Sequence, residues 1–203
     1  MPKQVDHQAR RRRITDALLR ITSTHGLQAV SLREVAAEAG VSMGQVQHYF
    51  HTKDQMLAFA VRHQHERITQ RIQQHLARAP DPRPARVVLH AMAVAMLPLD
   101  DQGRAEASIW LAFLARATVQ PSFAAPLRAA YPQIVAALTE QLRRAQDDGE
   151  LPATCNPQRE ADILFALVQG LLGPVLLGHY PPETAMAIVD HHLDRLFTQP
   201  QAL

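Results

Sequence analysis

Several things are scarce in this sequence, and each scarcity excludes something. Cys155 is the only cysteine in 203 residues, so no intrachain disulfide can form, and an intracellular, cytoplasmic setting is expected. Cys155 itself reads as a small buried or half-buried filler. Residues 1–13 are polar and basic with no apolar core behind them, unlike a secretory leader. The longest apolar run, residues 163–178, falls short of the roughly 20 residues a membrane span needs and contains Gln169 and Pro174. Alternating β-branched runs and hairpin signals are missing, as are a glycine-rich phosphate loop, a nucleophile elbow and a cysteine-rich metal cluster. The expected class is therefore an all-α protein that is not an enzyme, needs no cofactor and spans no membrane.

What is present is Ala, Leu, Arg and Gln at a 3.6-residue period. A first helix is expected over His7–His25, with Ile14, Ala17, Leu18 and Ile21 on one side and Gly26 ending it. Three hydroxyl residues then each precede a Glu or Gln by three positions: Ser31 with Glu34, Ser42 with Gln45, and Thr52 with Gln55. These are capping boxes, and they announce three helix starts within about twenty residues. The second and third helices, Leu32–Ala39 and residues 43–50, are too short to persist alone and must pack on the first. The fourth, residues 53–78, carries Met56, Leu57, Ala60, Val61, Ile68 and Ile72 on its apolar side. Proline-rich breaks divide the remainder into helices at residues 84–97, 103–119, 122–147, 157–178 and Pro182–Phe197, nine in all. Two domains are expected, residues 1–53 and 54–203.

Charge is uneven along the chain. Residues 1–53 hold 8 Lys and Arg against 4 Asp and Glu, whereas residues 54–203 hold 13 against 15. A basic head on a neutral body suits a chain whose head meets phosphates. The small Ala36, then Gly40, Val41 and Val46, with Val35 and Ala39 on the same inner face, has the spacing of a helix-turn-helix. Two helices crossing closely need Ala at the contact, the turn needs Gly40, and Val46 anchors the second helix.

At these residues the chain resembles the TetR family of regulators. The likeness is carried by Gly26-Leu27, Ser31-Leu32-Arg33-Glu34-Val35-Ala36, Ala39-Gly40-Val41-Ser42 and Tyr49-Phe50-His51-Thr52-Lys53-Asp54. A looser similarity to the C-terminal domain of the BetI-like branch runs through residues 106–113, Tyr131, Gly149-Glu150-Leu151 and residues 161–172. The head departs from the family pattern at Gln47, where an aromatic residue is usual, and at Tyr49, where histidine is usual.

The resemblance implies a double-stranded DNA operator as partner, with the third helix in the major groove. Met43, Gly44, Gln45, Gln47 and His48 then face the bases, Gln45 foremost because glutamine pairs bidentately with adenine. Arg33, Ser42, Tyr49, Thr52 and Lys53 sit at helix ends that suit phosphate contacts. Residues 10–13, four arginines, read either as an arm reaching DNA or as a frayed helix start. Gln45, like Glu34 and Gln55, also has a plain role as a cap.

For the body, the resemblance implies a homodimer and a small-molecule effector. The eighth helix is apolar nearly all round, so Leu164, Val168, Leu171, Leu172 and Val175, with Met186, Val189, Leu193 and Phe197 of the last helix, are expected at the dimer interface. His90, Met92, Met96, Trp110, Phe113, Leu114, Phe165 and Gln169 are expected around an apolar or cationic ligand. Without the family, the same residues read as ordinary core. Eleven histidines invite a metal, but His63 with His65 and His191 with His192 are spaced so that neither pair shares a helix face. No metal is expected. A helical ligand-binding dimer that has lost DNA binding is the alternative that Gln47 leaves open.

Overall fold

The computed structural model describes residues 7–77 and 83–197, apart from the side chains of Ser122 and Phe123. Among these residues there is no strand. The helices are α1 His7–His25, α2 Leu32–Ala39, α3 Met43–Tyr49, α4 Lys53–Leu76, α5 Ala85–Met96, α6 Asp101–Val119, α7 Pro121–Asp147, α8 Pro157–Leu176 and α9 Pro182–Phe197, with a short 3-10 turn at Leu27–Ala29. The all-α, nine-helix fold expected from periodicity is the one observed. Residue 78, assigned above to the fourth helix, lies outside the described residues.

By its contacts the chain divides into two compact units, Met1–Arg67 with Ser108–Ala129, and Ile68–Ala107 with Ala130–Leu203. Compactness does not divide the chain at 53/54: most of α4 and residues 108–129 go with the head. The division falls within α4, α6 and α7, so each of these helices belongs to both units.

In the first unit, α1 buries Ile14, Ala17, Leu18 and Ile21, and α2 buries Val35, Ala36 and Ala39 against it. Thr15 and Thr22, buried on α1, satisfy their hydroxyls on the carbonyls of Arg11 and Leu18 at 3.0 and 2.9 Å. Met56, Leu57, Ala60 and Val61 of α4 are buried too. His63 Nε2 meets Asp16 Oδ1 at 2.9 Å, tying α4 to α1. Burial raises the Asp16 carboxyl, but His63, Arg67 and Arg20 lower it by more, so it titrates below its usual range.

In the second unit, α5, α8 and α9 pack on one another. Arg104 caps the C-terminal end of α8 through the carbonyls of Val175 and Leu176, at 3.4 and 3.0 Å. Arg71 and Glu106 form a buried ion pair at 2.6 Å. Helix α6 begins two residues earlier than residue 103, where the sequence placed it. Asp100 caps it, accepting from the Gly103 N–H at 2.6 Å. Gly103 is thus inside the first turn and is needed there for space: a Cβ would lie 2.8 Å from the Leu97 carbonyl and 3.1 Å from Arg71 Nη2.

Candidate nucleic-acid interface

The turn between α2 and α3 depends on Gly40, which sits in the left-handed region at φ 62°, ψ 41°. Its N–H and that of Val41 turn back to α2, the latter reaching the Ala36 carbonyl at 3.0 Å. Helix α3 has seven residues, too few to hold itself together in water. It is fastened below by Val46, which is 0% exposed, and at its start by Ser42. The Ser42 hydroxyl accepts from the Gln45 N–H and Gln45 Oε1 accepts from the Ser42 N–H, both at 3.2 Å. Of the three boxes expected, this one closes as written. At Ser31 the Glu34 N–H bonds the hydroxyl, but the Glu34 carboxylate takes the Ser31 O–H rather than a backbone N–H. At Thr52 the Gln55 N–H bonds the hydroxyl, while Gln55 Oε1 accepts from His51 N–H instead.

With Val46 inward, α3 turns Met43, Gly44, Gln45, Gln47 and His48 to solvent, Met43 at 47% exposure. Arg33 and Thr52 are exposed, Ser42 is exposed, and Tyr49 is half-buried against the His48 ring at 5.2 Å. Two expected roles shift. Gln45 is folded back on its cap, so bidentate pairing with adenine would require it to leave that cap, and Gln47 is the glutamine free of one. Lys53 is half-buried with its ammonium donating to the Val30 carbonyl, which fixes the chain entering α2. Burial foremost, then Arg116, lowers the Lys53 pKa. Arg10 to Arg13 all lie inside α1, with Arg12 paired to Glu66 at 3.4 Å and Arg11 donating to the Tyr49 carbonyl at 3.4 Å.

The residues expected at a dimer interface are mostly inside the protomer. Leu164, Val168, Leu171, Leu172, Val175, Val189 and Leu193 are all buried within the chain, with Met186 and Phe197 half-buried. The apolar positions of α8 left outside are Ile163, Ala166 and Gly170, with Gly173 half-buried and Leu177 following at the C-terminal cap; Ile163 is 48% and Leu177 87% exposed. The intervals are three, four, three and four residues, one stripe along a helix. No atom lies within 4 Å of where a Cβ would stand on Gly170 or Gly173.

The expected ligand residues divide between the units. Trp110, Phe113 and Leu114 belong to the first, and His90, Met92, Met96, Phe165 and Gln169 to the second. Phe165 packs edge-on to Tyr131 at 5.1 Å. His90 lies 3.5 Å from Asp190 in a charge cluster with Arg86 and Asp194, which accounts for it without a ligand. Sequence reasoning missed Gln64. It is 4% exposed on α4, and neither amide atom has a hydrogen-bond partner among the described residues. An unmet buried polar group costs about 1–3 kcal/mol. The available signal was a glutamine one turn beyond Ala60 and Val61 on the buried side of that helix.

A family model described as Bacterial regulatory proteins, tetR family, matches residues 14–59, and one described as BetI-type transcriptional repressor, C-terminal, matches residues 82–198. The chain belongs to the TetR family. The HTH-type transcriptional regulator PksA of Bacillus subtilis (strain 168) is 33% identical over 171 residues, 84% of this chain and 80% of that one. The regulator BetI of Burkholderia thailandensis is 28% identical over 198 residues, 97% of each chain. Among solved structures, a transcriptional regulator from Rhodococcus sp. Rha1 has TM-score 0.77 at 34% identity, covering 92% of this chain and 95% of its own. One from Saccharomonospora viridis, crystallised in complex with choline, shares the fold at TM-score 0.76 and 23% identity, with 92% and 96% covered. As a TetR-family member the protein is a transcriptional regulator of a non-enzymatic, DNA-binding kind. Among the described residues no helix is long and apolar enough to cross a membrane.

Proposed function

We propose that this TetR-family regulator is a homodimeric repressor, released from a palindromic operator by a small apolar or cationic ligand. The observation that carries the DNA reading is the outward face of α3, Met43, Gly44, Gln47 and His48, standing over a buried Val46. Arg33, Ser42, Tyr49, Thr52 and Lys53 flank it as phosphate contacts, and Gln45 serves chiefly as the cap. Two such helices must enter major grooves about 34 Å apart, which requires two copies and a two-fold site. The 163/166/170/173/177 stripe of α8 supplies the face for the second copy, with α9 beside it. Occupying an operator blocks polymerase without further machinery, which favours repression.

For the effector, Gln64 is the best polar anchor, since its amide wants a donor and an acceptor. Trp110 and Phe113, in the same unit, offer aromatic faces of the kind that hold cations. Leu114, in the same unit, adds an apolar side chain, whereas the other residues expected around a ligand, Met92, Met96, Phe165 and Gln169, belong to the second unit. The effector favours a conformer whose heads are wrongly spaced for DNA, so ligand and operator oppose each other reciprocally. Helix α4, which belongs to both units, is the lever.

The test is fluorescence anisotropy of a labelled duplex from the protein's own upstream region, with wild type and with Gln47→Ala/His48→Ala. Specific binding lost in the variant is expected, and choline is the first probe for release. Equal affinity for that duplex and a scrambled one would contradict the reading.

A further inference from the structure

Beside the C-terminal end of α3 a cavity of about 360 Å3 opens into the head. Its walls include Arg11, Arg62, His48, His51, Gln55 and Phe59, and among the described residues no Asp or Glu lines it. Both guanidiniums use the same aromatic ring: Arg11 and Arg62 each lie 5.5 Å from the Phe59 centroid. Arg11 is also 5.5 Å from the Phe50 centroid. Two other arginines of α1 take carboxylates, Arg12 with Glu66 and Arg20 with Glu38. Arg11 and Arg62 make no ion pair among the described residues.

Two like charges over one ring repel, and an anion between them relieves that. A guanidinium over an aromatic face keeps N–H groups free for an oxyanion. Arg11 spends one of its five N–H groups on the Tyr49 carbonyl. The imidazoles of His48 and His51 add further donors, and the Gln55 amide nitrogen adds more, since its Oε1 is already taken by the His51 N–H. The set is rich in donors and poor in acceptors, which selects an anion with several oxygens, and the space exceeds what one such group fills.

We propose that this cavity is a phosphate-binding site of the head, which shares His48 with the base-reading face of α3. A phosphodiester of the operator backbone is the occupant its position favours, because His48 and Tyr49 bring the cavity to the end of the recognition helix. That choice of source rests on the DNA-binding reading, whereas the phosphate chemistry does not.

The test compares the full-length chain with Arg62→Gln, which alters an exposed residue, after matching their thermal melts. One arm measures the slope of log affinity against log salt for a random-sequence duplex. The other follows the His51 and Gln55 side-chain NMR signals of the DNA-free protein as inorganic phosphate is added in phosphate-free buffer. We expect the variant's slope to be shallower by about 0.9, the share of one phosphate contact, and the phosphate response to vanish. A shallower slope without a free-phosphate response also supports the backbone as source. An unchanged slope with a phosphate response lost in the variant supports the site but makes a free phosphorylated molecule its ligand. No change in either arm overturns the proposal. If wild type binds no duplex, the regulator reading fails and the phosphate arm alone decides the site.

Discussion

Helices α3 and α8 are built on opposite plans. Helix α3 has seven residues, is pinned by one buried valine and a capping box, and presents glutamine and histidine outward. Helix α8 has twenty, buries seven of them, and presents isoleucine, alanine, glycine and leucine outward. A polar outer face fits groove edges, which offer donors and acceptors, and a seam of small and aliphatic residues fits another helix. The same head-to-groove logic needs both, because one seven-residue helix reads too little DNA alone.

The largest effect expected comes from placing charge on the α8 seam. Ile163→Asp/Ala166→Asp should leave the protomer folded, since both positions are exposed, and weaken self-association by about 3 kcal/mol, more than a hundredfold. Sedimentation velocity checks this; an undiminished dimer would move the interface elsewhere. Next, Val46→Ala strips the one internal anchor of α3 and should cost about 2 kcal/mol. A denaturant melt should show that loss, with the dimer retained.

Gln47→Ala and Gln45→Ala sharpen the comparison within α3 itself. Losing a bidentate base contact at Gln47 should reduce discrimination between operator and scrambled duplex by about 1–3 kcal/mol. Gln45→Ala should chiefly loosen the cap, about 1 kcal/mol in stability, as should Ser42→Ala. If Gln45→Ala relaxes specificity more than Gln47→Ala does, the assignment of cap and reader is reversed.

The smallest effect concerns the tie between α1 and α4, where Asp16 meets His63. Its carboxyl titrates below the usual range in the fold. It therefore stabilises above the unfolded value, near pH 4, and this contribution fades as the pH falls through the folded pKa. Asp16→Asn should flatten the fall of the melting temperature as the pH drops below about 4. A slope unchanged from wild type would mean that other carboxylates govern it.

The legible parts of this molecule were those whose chemistry is local. Ser42 with Gln45, Gly40 at positive φ, and the stripe Ile14, Ala17, Leu18, Ile21 each bind a few neighbouring residues, so spacing along the chain was enough. The outer seam of α8 was not legible because that helix is apolar on nearly every side; burial, which depends on α5 and α9, decides which side remains. Gly103 looked like a helix boundary because its reason for being glycine lies in Leu97 and Arg71. The bond from Lys53 to the Val30 carbonyl was not legible because that partner is a backbone atom 23 residues earlier. Gln64 was passed over because an unmet amide is visible only once its surroundings are.

The most direct test of the central claim is selection of duplexes from a random-sequence pool by the full-length protein at physiological salt. The account predicts enrichment of a two-fold symmetric site, with half-sites about one helical turn apart, that Gln47→Ala/His48→Ala no longer enriches. A pool that stays random, or an enriched site indifferent to those two residues, would contradict it.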